Sequence, residues 1–293
     1  MKIKLDVRPP YPLKIFCLTM GPARHIYLPL ISNELLLLDR NVVSRAKSSR
    51  PSASAAINYW MGEFNRVSRN INPIMTAYEG ASAREPTRLE FQVELADTRR
   101  LLQLLYPHKN VIEHSAKTSG DLFDALAAKR ERRRHEVAFL VDAAPLAAQR
   151  PNPKELMPKI REIIAKARRE GLVGQSLVHV ALLSCLAENR HGDKKSAGRA
   201  VLKPRAGFNV RDAHNAVSDI HLLEFLIASS AYHLGPVALC TMDEGLARLW
   251  MKLKVSVADR TIANDINFRF SIDEGLFPRL SQEQLQEVRL ALR

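Results

Sequence analysis

The segment Leu35-Leu36-Leu37-Leu38-Asp39 is a short apolar run that ends in an aspartate, and Val237-Ala238-Leu239-Cys240-Thr241-Met242-Asp243 repeats this arrangement near the other end of the chain. A short apolar run between polar residues is typical of a strand buried on both faces, as in parallel sheets covered by helices. Ligands of such sheets bind just beyond the carboxyl ends of the strands. The two runs therefore predict an α/β fold in which both aspartates lie at the rim of the sheet where a site would form.

Composition limits the class of protein and its partners. The chain has 293 residues, 46% of them hydrophobic, which suffices for one elaborated α/β domain or two small ones. Its formal net charge of +13 favours polyanions, and nucleic acid is the leading candidate. The N-terminus does not read as a signal peptide, and no stretch approaches the roughly 18 apolar residues of a spanning helix. We therefore expect no membrane partner, while a homo-oligomer remains possible.

The cysteines point to the compartment. Cys17, Cys185 and Cys240 are far apart, form no CxxC pair and are odd in number. They indicate neither a disulfide framework nor a thiolate zinc site. Free cysteines fit a reducing environment, so we expect a cytoplasmic protein.

The distribution of prolines and of helical periodicity predicts one domain with additions. Residues 1–33 are irregular and proline-rich, and we interpret them as an N-terminal extension in which Leu13 to Met20 could form an edge strand. Residues 34–293 form the domain. Its mostly helical part, at about 84–210, is interpreted as a large insertion between the first and the later strands.

Asp219 adds an acid that is harder to explain. It lies on a predicted helix from about Asp212 to Leu234, inside the apolar stripe of that helix, whereas Glu224 falls outside the stripe. A buried carboxylate costs several kcal/mol unless it is paired or binds a metal. A salt bridge to an arginine or a cap near the helix start would also satisfy Asp219, just as helix capping alone could explain Asp39 or Asp243.

These acids would crowd if they met at one rim. A third apolar run, Val255 to Ala258, also ends in an aspartate, so Asp259 is a further candidate. Two carboxylates about 5 Å apart repel by roughly 3 kcal/mol at an effective dielectric of about 20. A cluster of this kind needs a counter-charge, and hard oxygen ligands suit Mg²⁺ or Mn²⁺ rather than zinc.

Three segments, in this order, resemble the acidic motifs of PIN-domain nucleases. They are Leu37-Leu38-Asp39-Arg40-Asn41, Asn215-Ala216-Val217-Ser218-Asp219-Ile220 and Leu239-Cys240-Thr241-Met242-Asp243. The resemblance implies a three-layer α/β/α fold with a central, mostly parallel sheet. It also implies an endonuclease that hydrolyses phosphodiester bonds with a metal-activated water, most often a ribonuclease, although larger relatives cleave flap-like DNA.

The family's second acidic motif is a glutamate on a helix soon after the first aspartate. Glu79, in Ile74-Met75-Thr76-Ala77-Tyr78-Glu79-Gly80, matches it best, and Glu85, Glu90 and Glu94 are alternatives. The metal ligands that the resemblance implies are therefore Asp39, Glu79, Asp219 and Asp243, with Asn41 and Thr241 supporting them from beside.

A basic segment from Asn189 to Arg211 precedes the helix that carries Asp219. We expect it to be a long surface loop that could hold the substrate backbone at the acidic rim, because phosphate contacts position nucleic acid without reading its sequence. The alternative is that these cations are simply solvated. The proposed contacts are Arg190, Lys194, Lys195, Arg199, Lys203, Arg205 and Arg211. A second basic run, Lys129 to Arg134, is expected to be an exposed helix face.

Two alternatives come from other classes of protein. A nucleic-acid-binding regulator would keep a PIN-like fold without the reaction. A metal-dependent phosphohydrolase acting on small phosphates would need an Asp-x-Asp motif after the first strand, but Asp39 is followed by Arg40-Asn41. His214 and His221 flank Asp219 in the sequence, and we expect them to be structural or adjacent to the substrate.

Overall fold

The computed structural model describes residues 11–12, 14–20, 24–26, 35–47, 55–66, 70–79, 85–172, 176–188, 196–232, 235–260, 266–272 and 274–292. The strands are β1 (Phe16–Thr19), β2 (His25–Ile26), β3 (Leu35–Leu38), β4 (Asn70–Asn72), β5 (Asn110–Val111), β6 (Val237–Thr241), β7 (Lys254–Arg260) and β8 (Ile266–Ser271). The helices are α1 (Arg40–Lys47), α2 (Ala55–Arg66), α3 (Ile74–Glu79), α4 (Arg88–Leu105), α5 (Ala116–Ala127), α6 (Arg130–Ala143), α7 (Pro153–Arg169), α8 (Leu177–Leu186), α9 (Ala197–Leu202), α10 (Val210–Tyr232), α11 (Glu244–Lys252) and α12 (Gln282–Ala291).

A mixed sheet in the order β2-β1-β6-β3-β4-β5 organises the fold. Strands β6, β3, β4 and β5 are parallel to one another, whereas β1 is antiparallel to β6 and to β2. The predicted α/β class is confirmed. The two aspartate-ended runs are adjacent parallel strands, with Leu38 opposite Cys240. Because adjacent parallel strands end at the same rim, the residues that follow β3 and β6 lie side by side.

Alternate residues of β3 are buried in two separate apolar clusters. Leu36 and Leu38 pack in a cluster with side chains of α1 and α2, whereas Leu35 and Leu37 belong to a larger cluster with side chains of α3, α8 and α10. All four leucines are buried, and burying each one stabilises the fold by about 1.5–3 kcal/mol. Both faces of this central strand are therefore covered, which explains its uninterrupted apolar sequence.

The expected N-terminal strand forms, but it is not an edge strand. β1 lies between β2 and β6, and Cys17 is opposite Cys240 with their sulfur atoms 3.5 Å apart. All three cysteines are buried, and none of them forms a disulfide. Residues interpreted from the sequence as an extension thus contribute strands to the main sheet.

Asp259 does not belong to the rim. β7 pairs antiparallel with β8 in a separate two-stranded sheet, and Asp259 lies within β7 opposite Asn267. The expectation that this aspartate follows a strand of the main sheet is wrong, because the strand continues through it to Arg260 and pairs with a neighbour in the chain.

The region at about 84–210 contains the helices α4 to α9, but it also contributes β5 to the edge of the main sheet. α9 lies within the basic segment that we expected to be a loop. Within the described ranges, no helix is long and apolar enough to cross a membrane.

Candidate metal centre

Asp39 occupies the end of β3, where its carboxylate is held by three donors. Its side chain is buried, and its backbone N–H donates to the Cys240 carbonyl at 3.0 Å, which continues the parallel ladder. The Asn41 backbone N–H donates to Asp39 Oδ1 at 3.1 Å, and Asn41 Nδ2 donates to Oδ2 at 2.5 Å. The Thr241 hydroxyl also donates to Oδ2. These bonds fix the orientation of the carboxylate and place Asn41 and Thr241 beside it.

Asp243 follows the last residue of β6 by two positions and is the N-cap of α11. Its Oδ1 accepts a hydrogen bond from Leu246 N at 2.9 Å, so the capping role is confirmed. The Asn41 amide oxygen accepts from Met242 N at 2.9 Å, and Thr241 Oγ1 accepts from Asp243 N at 3.0 Å. Capping uses one carboxylate oxygen only. With respect to the residues that the structure places, Asp243 Oδ2 remains available to another ligand.

Asp219 lies on α10, which packs against β6 and α9. Burial raises the pKa of its carboxyl group to about 7, and the negative charges of Asp243 and Asp39 add to this rise, while Lys203 opposes it. The carboxylates of Asp39 and Asp243 are therefore near enough to repel that of Asp219. Asp219 makes no hydrogen bond or salt bridge with any described residue, so the alternative of an arginine partner finds no support there.

These residues fit a hard divalent cation. Mg²⁺ and Mn²⁺ prefer carboxylate oxygens and commonly keep several water ligands. Asp219 lacks a described partner, the described hydrogen bond of the Asp243 carboxylate uses only Oδ1, and the Asp39 carboxylate is fixed in orientation. A cation among the three would relieve the repulsion that raises the pKa of Asp219.

The structure constrains the choice of the fourth acid less than it constrains the three aspartates. Glu79 is the last residue of α3, and its side chain lies outside what the structure describes. Glu85 pairs with Arg130 at 3.3 Å, and Glu90 completes the capping box of α4. Glu94 pairs at 3.4 Å with Arg40, the residue after Asp39. Of the three alternatives to Glu79, Glu94 is thus the one tied to a neighbour of the site.

Two of the proposed phosphate contacts are engaged with protein groups. The Arg199 guanidinium donates to Glu188 at 2.9 Å and to the carbonyls of Ala147, Ala148 and Cys185. These bonds use all of its nitrogens and anchor α9 to its surroundings. The Arg205 guanidinium pairs with the Asp212 carboxylate, with its shortest contact at 2.6 Å.

The other basic residues differ in position. Lys203 directly follows α9 and lines a cavity beside Asp219, and Arg211 is exposed in the first turn of α10. Arg190, Lys194 and Lys195 lie outside the described residues.

Sequence reasoning missed a buried polar network on the other side of α10. Glu136 Oε2 lies 2.5 Å from His221 Nε2, and Tyr78 OH lies 3.1 Å from His221 Nδ1. Arg132 contacts Glu136 at 3.2 Å and Glu224 at 2.6 Å. The network joins α3, α6 and α10, so it connects the helix that ends at Glu79 with the helix that carries Asp219.

The same network contains a spacing that suits a metal ion. The candidate ligand atoms of Glu136, His221 and Glu224 all lie within 4.8 Å of one another. However, the Arg132 guanidinium already contacts both carboxylates, so this cluster has its cation. We therefore interpret it as structural. The expectation that Lys129 to Arg134 is an exposed face is wrong for Arg133, which is buried, while Arg132 is 40% exposed and makes these contacts.

We expect the metal-free protein to be more stable at pH 5 than at pH 8. The pKa of Asp219 rises from its usual 3.8 to about 7, so the folded state holds this proton more tightly than the unfolded chain does. The free energy of unfolding therefore falls as the pH rises from 3.8 to about 7. The whole shift corresponds to at most about 4 kcal/mol, of which about 3 kcal/mol falls between pH 5 and pH 8, less what solvent screens.

Thermal unfolding in EDTA between pH 4.5 and 8.5 measures this loss. Because other groups titrate as well, the comparison is with Asp219→Asn, which should lack the part of the loss that belongs to this carboxyl group. An identical dependence on pH in both proteins would contradict the placement of Asp219 beside two other anions.

No protein-family model, curated protein or solved structure matches the chain. The candidate site is therefore interpreted from its geometry and its chemistry.

Proposed function

We propose that this protein is a divalent-metal-dependent nuclease that hydrolyses phosphodiester bonds, with RNA favoured over DNA. The observation that carries the proposal is Asp219, a carboxylate without a described partner whose pKa is raised by burial and by the charges of Asp243 and Asp39. Carboxylates that crowd in this way at the rim of a parallel sheet are suited to a metal ion and a phosphate substrate.

The fold that we propose for it is the three-layer α/β/α arrangement of PIN-like domains. Support comes from the parallel order β6-β3-β4-β5 and from the two apolar clusters that cover alternate residues of β3. The antiparallel strands β1 and β2 would be additions at one side of that arrangement.

Asp39, Asp219 and Asp243 would hold the metal, with Glu79 as the fourth acid that the resemblance implies. Mg²⁺ or Mn²⁺, when bound, would lower the pKa of a water molecule and stabilise the leaving oxygen of the phosphodiester. The chain's own contribution is orientation. Asn41 and Thr241 fix the Asp39 carboxylate, and the N-terminus of α11 fixes Asp243 through one oxygen.

The charge of the whole chain supports a polyanionic substrate. A net charge of +13 favours long-range attraction of nucleic acid, and contacts with phosphates make binding strongly dependent on salt. Lys203 and Arg211 are the described candidates for such contacts, because Arg199 and Arg205 are engaged elsewhere.

Cleavage of end-labelled RNA and DNA of mixed sequence tests the proposal. We expect cleavage that requires Mn²⁺ or Mg²⁺, is abolished by EDTA and returns when metal is added in excess. Binding without cleavage at high protein concentration would contradict the nuclease and favour a nucleic-acid-binding regulator. Hydrolysis of free nucleotides without cleavage of either polymer would favour a small-molecule phosphohydrolase.

A further inference from the structure

A cavity of about 220 Å³ adjoins Asp219. It lies between the end of α9 and the first half of α10, and Asp219 contributes to its wall. Pockets for drug-sized ligands span roughly 300–1,000 Å³. This cavity is smaller, so it suits one nucleotide unit and is too small for a base-paired duplex.

The wall of the cavity combines apolar and polar groups. Leu202, Phe208 and Ala216 are buried side chains that supply apolar surface. Asn215 is exposed and precedes Asp219 by four residues on α10, which places the amide and the carboxylate on the same side of the helix. The Arg205–Asp212 ion pair and the Asp219 carboxylate complete the polar part of the wall. The apolar surface and the Asn215 amide can accommodate a nucleobase, and Lys203 can contact its phosphate.

Lys203, the residue that follows α9, lines the cavity and has an unusual backbone conformation. It is the C-cap of α9 with φ 49° and ψ 49°, and its N–H donates to the Arg199 carbonyl at 3.1 Å. This left-handed position is usually glycine, because a side chain there is strained. Such strain persists where the surroundings enforce it, often at functional sites.

The surroundings of α9 do enforce the position of Lys203. A Cβ atom on Gly198 would lie 2.1 Å from the Ala181 carbonyl oxygen, so α9 packs directly on the backbone of α8. A Cβ on Gly245, two residues after Asp243, would lie 2.9 Å from the Ala200 carbonyl. α9 thus packs closely against both α8 and α11, the helix that begins beside the proposed metal centre.

The charge of Lys203 has no described use within the fold. Lys203 forms no salt bridge with the residues that the structure places, although Asp219 lines the same cavity. It is one of the cavity's lining residues and is exposed. A strained, rigidly placed lysine beside the acidic centre is suited to contact an anion that enters from solvent.

We propose that this cavity binds one unpaired nucleotide next to the scissile phosphate, with Lys203 on its phosphate, the Asn215 amide on a polar edge of the base, and Phe208 and Leu202 against its apolar surface. The proposal rests on the nuclease function proposed above. A base must leave its helical stack to enter such a cavity, which costs least in a single strand. Asn215 would then be the residue that determines specificity.

Calorimetric titration with the four ribonucleoside 5′-monophosphates, one at a time, and with inorganic phosphate tests this in the presence of Mg²⁺. We expect the wild type to bind at least one nucleotide about tenfold or more tightly than phosphate. Asn215→Leu should remove this preference and keep the affinity for phosphate. Lys203→Gly should weaken both ligands while it raises Tm, because glycine adopts the left-handed conformation without strain.

Lys252→Gln is the control, since it removes one exposed positive charge at the far end of α11. It should bind nucleotides as the wild type does. Equal affinity of the wild type for phosphate and for every nucleotide would overturn the cavity assignment, as would unchanged affinities in Lys203→Gly and Asn215→Leu.

The two proposals can fail separately. If the wild type cleaves RNA but neither variant changes nucleotide binding, the cavity assignment is wrong and the nuclease stands. If the variants change nucleotide binding as expected but no polymer is cleaved with either metal, the nucleotide site stands and the nuclease is overturned.

Discussion

Asp243→Asn is expected to lower kcat/KM for metal-dependent cleavage by at least about 100-fold, without lowering the stability of the fold. Asparagine caps helices as well as aspartate does, so its Oδ1 can still accept the bond from Leu246 N. The substitution removes the negative charge from the rim and with it one ligand of the metal. It also removes one of the two anions that raise the pKa of Asp219, so Tm in EDTA at pH 8 should stay unchanged or rise.

Glu244→Gln is the matched control for this experiment. Glu244 is the next residue, on the first turn of the same helix, and it pairs with Arg248 at the surface. This variant also loses one negative charge, yet it should cleave as the wild type does. If Asp243→Asn remains active under the same conditions, Asp243 is not a ligand of the catalytic metal.

The structure predicts different effects on stability for the change to asparagine at Asp243 and at Asp39. From the sequence alone, the change to asparagine should have little effect on the fold at either position. At position 39, however, the new amide NH2 group would face a donor in either orientation: Asn41 Nδ2 and the Thr241 hydroxyl in one, and the Asn41 backbone N–H in the other. Because two donors cannot pair unless one of them turns away, Asp39→Asn should lose stability as well as activity. Asp243 is therefore the cleaner test of the site.

Glu136→Gln is expected to lower the free energy of unfolding by about 3–5 kcal/mol, because it breaks a buried ion pair and keeps its partner. Burial alone would raise the pKa of Glu136, but the charge and hydrogen bond of His221 and the charge of Arg132 lower it to about 2. Glutamine has the same shape without the charge. It would leave the buried His221 and the partly exposed Arg132 with one anion fewer.

Urea unfolding at pH 7 measures this effect. The control is Glu113→Gln, since Glu113 also pairs with an arginine, Arg99, but lies at the surface with 70% of its side chain exposed. That pair is worth about 0–1 kcal/mol, so the control should unfold close to the wild type. A loss below about 1 kcal/mol in Glu136→Gln would contradict the structural role of the network.

The network also bears on the site through the helices it joins. Tyr78 precedes Glu79 on α3, and His221 follows Asp219 by two residues on α10. The contacts of Glu136 with His221 and of His221 with Tyr78 therefore hold the two acid-bearing helices together. A weakened network should loosen the site as well as the fold.

The part of the fold that local sequence determines could be predicted. The runs 35–38 and 237–241 are buried on both faces, so they contain apolar residues throughout and are recognisable as strands. β4 and β5 were not predicted, because they are three and two residues long and Asn70-Ile71-Asn72 contains a single apolar residue. Their pairing depends on neighbours far away in the sequence.

The same distinction applies to the site. Asp39, Asp219 and Asp243 could be found from the strand-end rule and from the position of Asp219 on its helix. The role of Glu224 could not be inferred from the sequence. Its partner Arg132 is 92 residues away, and the face of α10 outside the apolar stripe packs against α6. The cavity beside Asp219 depends on the left-handed Lys203, which no pattern in the sequence signals.

The most direct test is the anomalous diffraction signal of crystals soaked in Mn²⁺. We expect a peak bounded by the carboxylates of Asp39, Asp219 and Asp243, which is lost in crystals of Asp243→Asn. The absence of a peak there, or a peak at Glu136, His221 and Glu224 instead, would contradict the claim that the rim of the sheet is the metal centre.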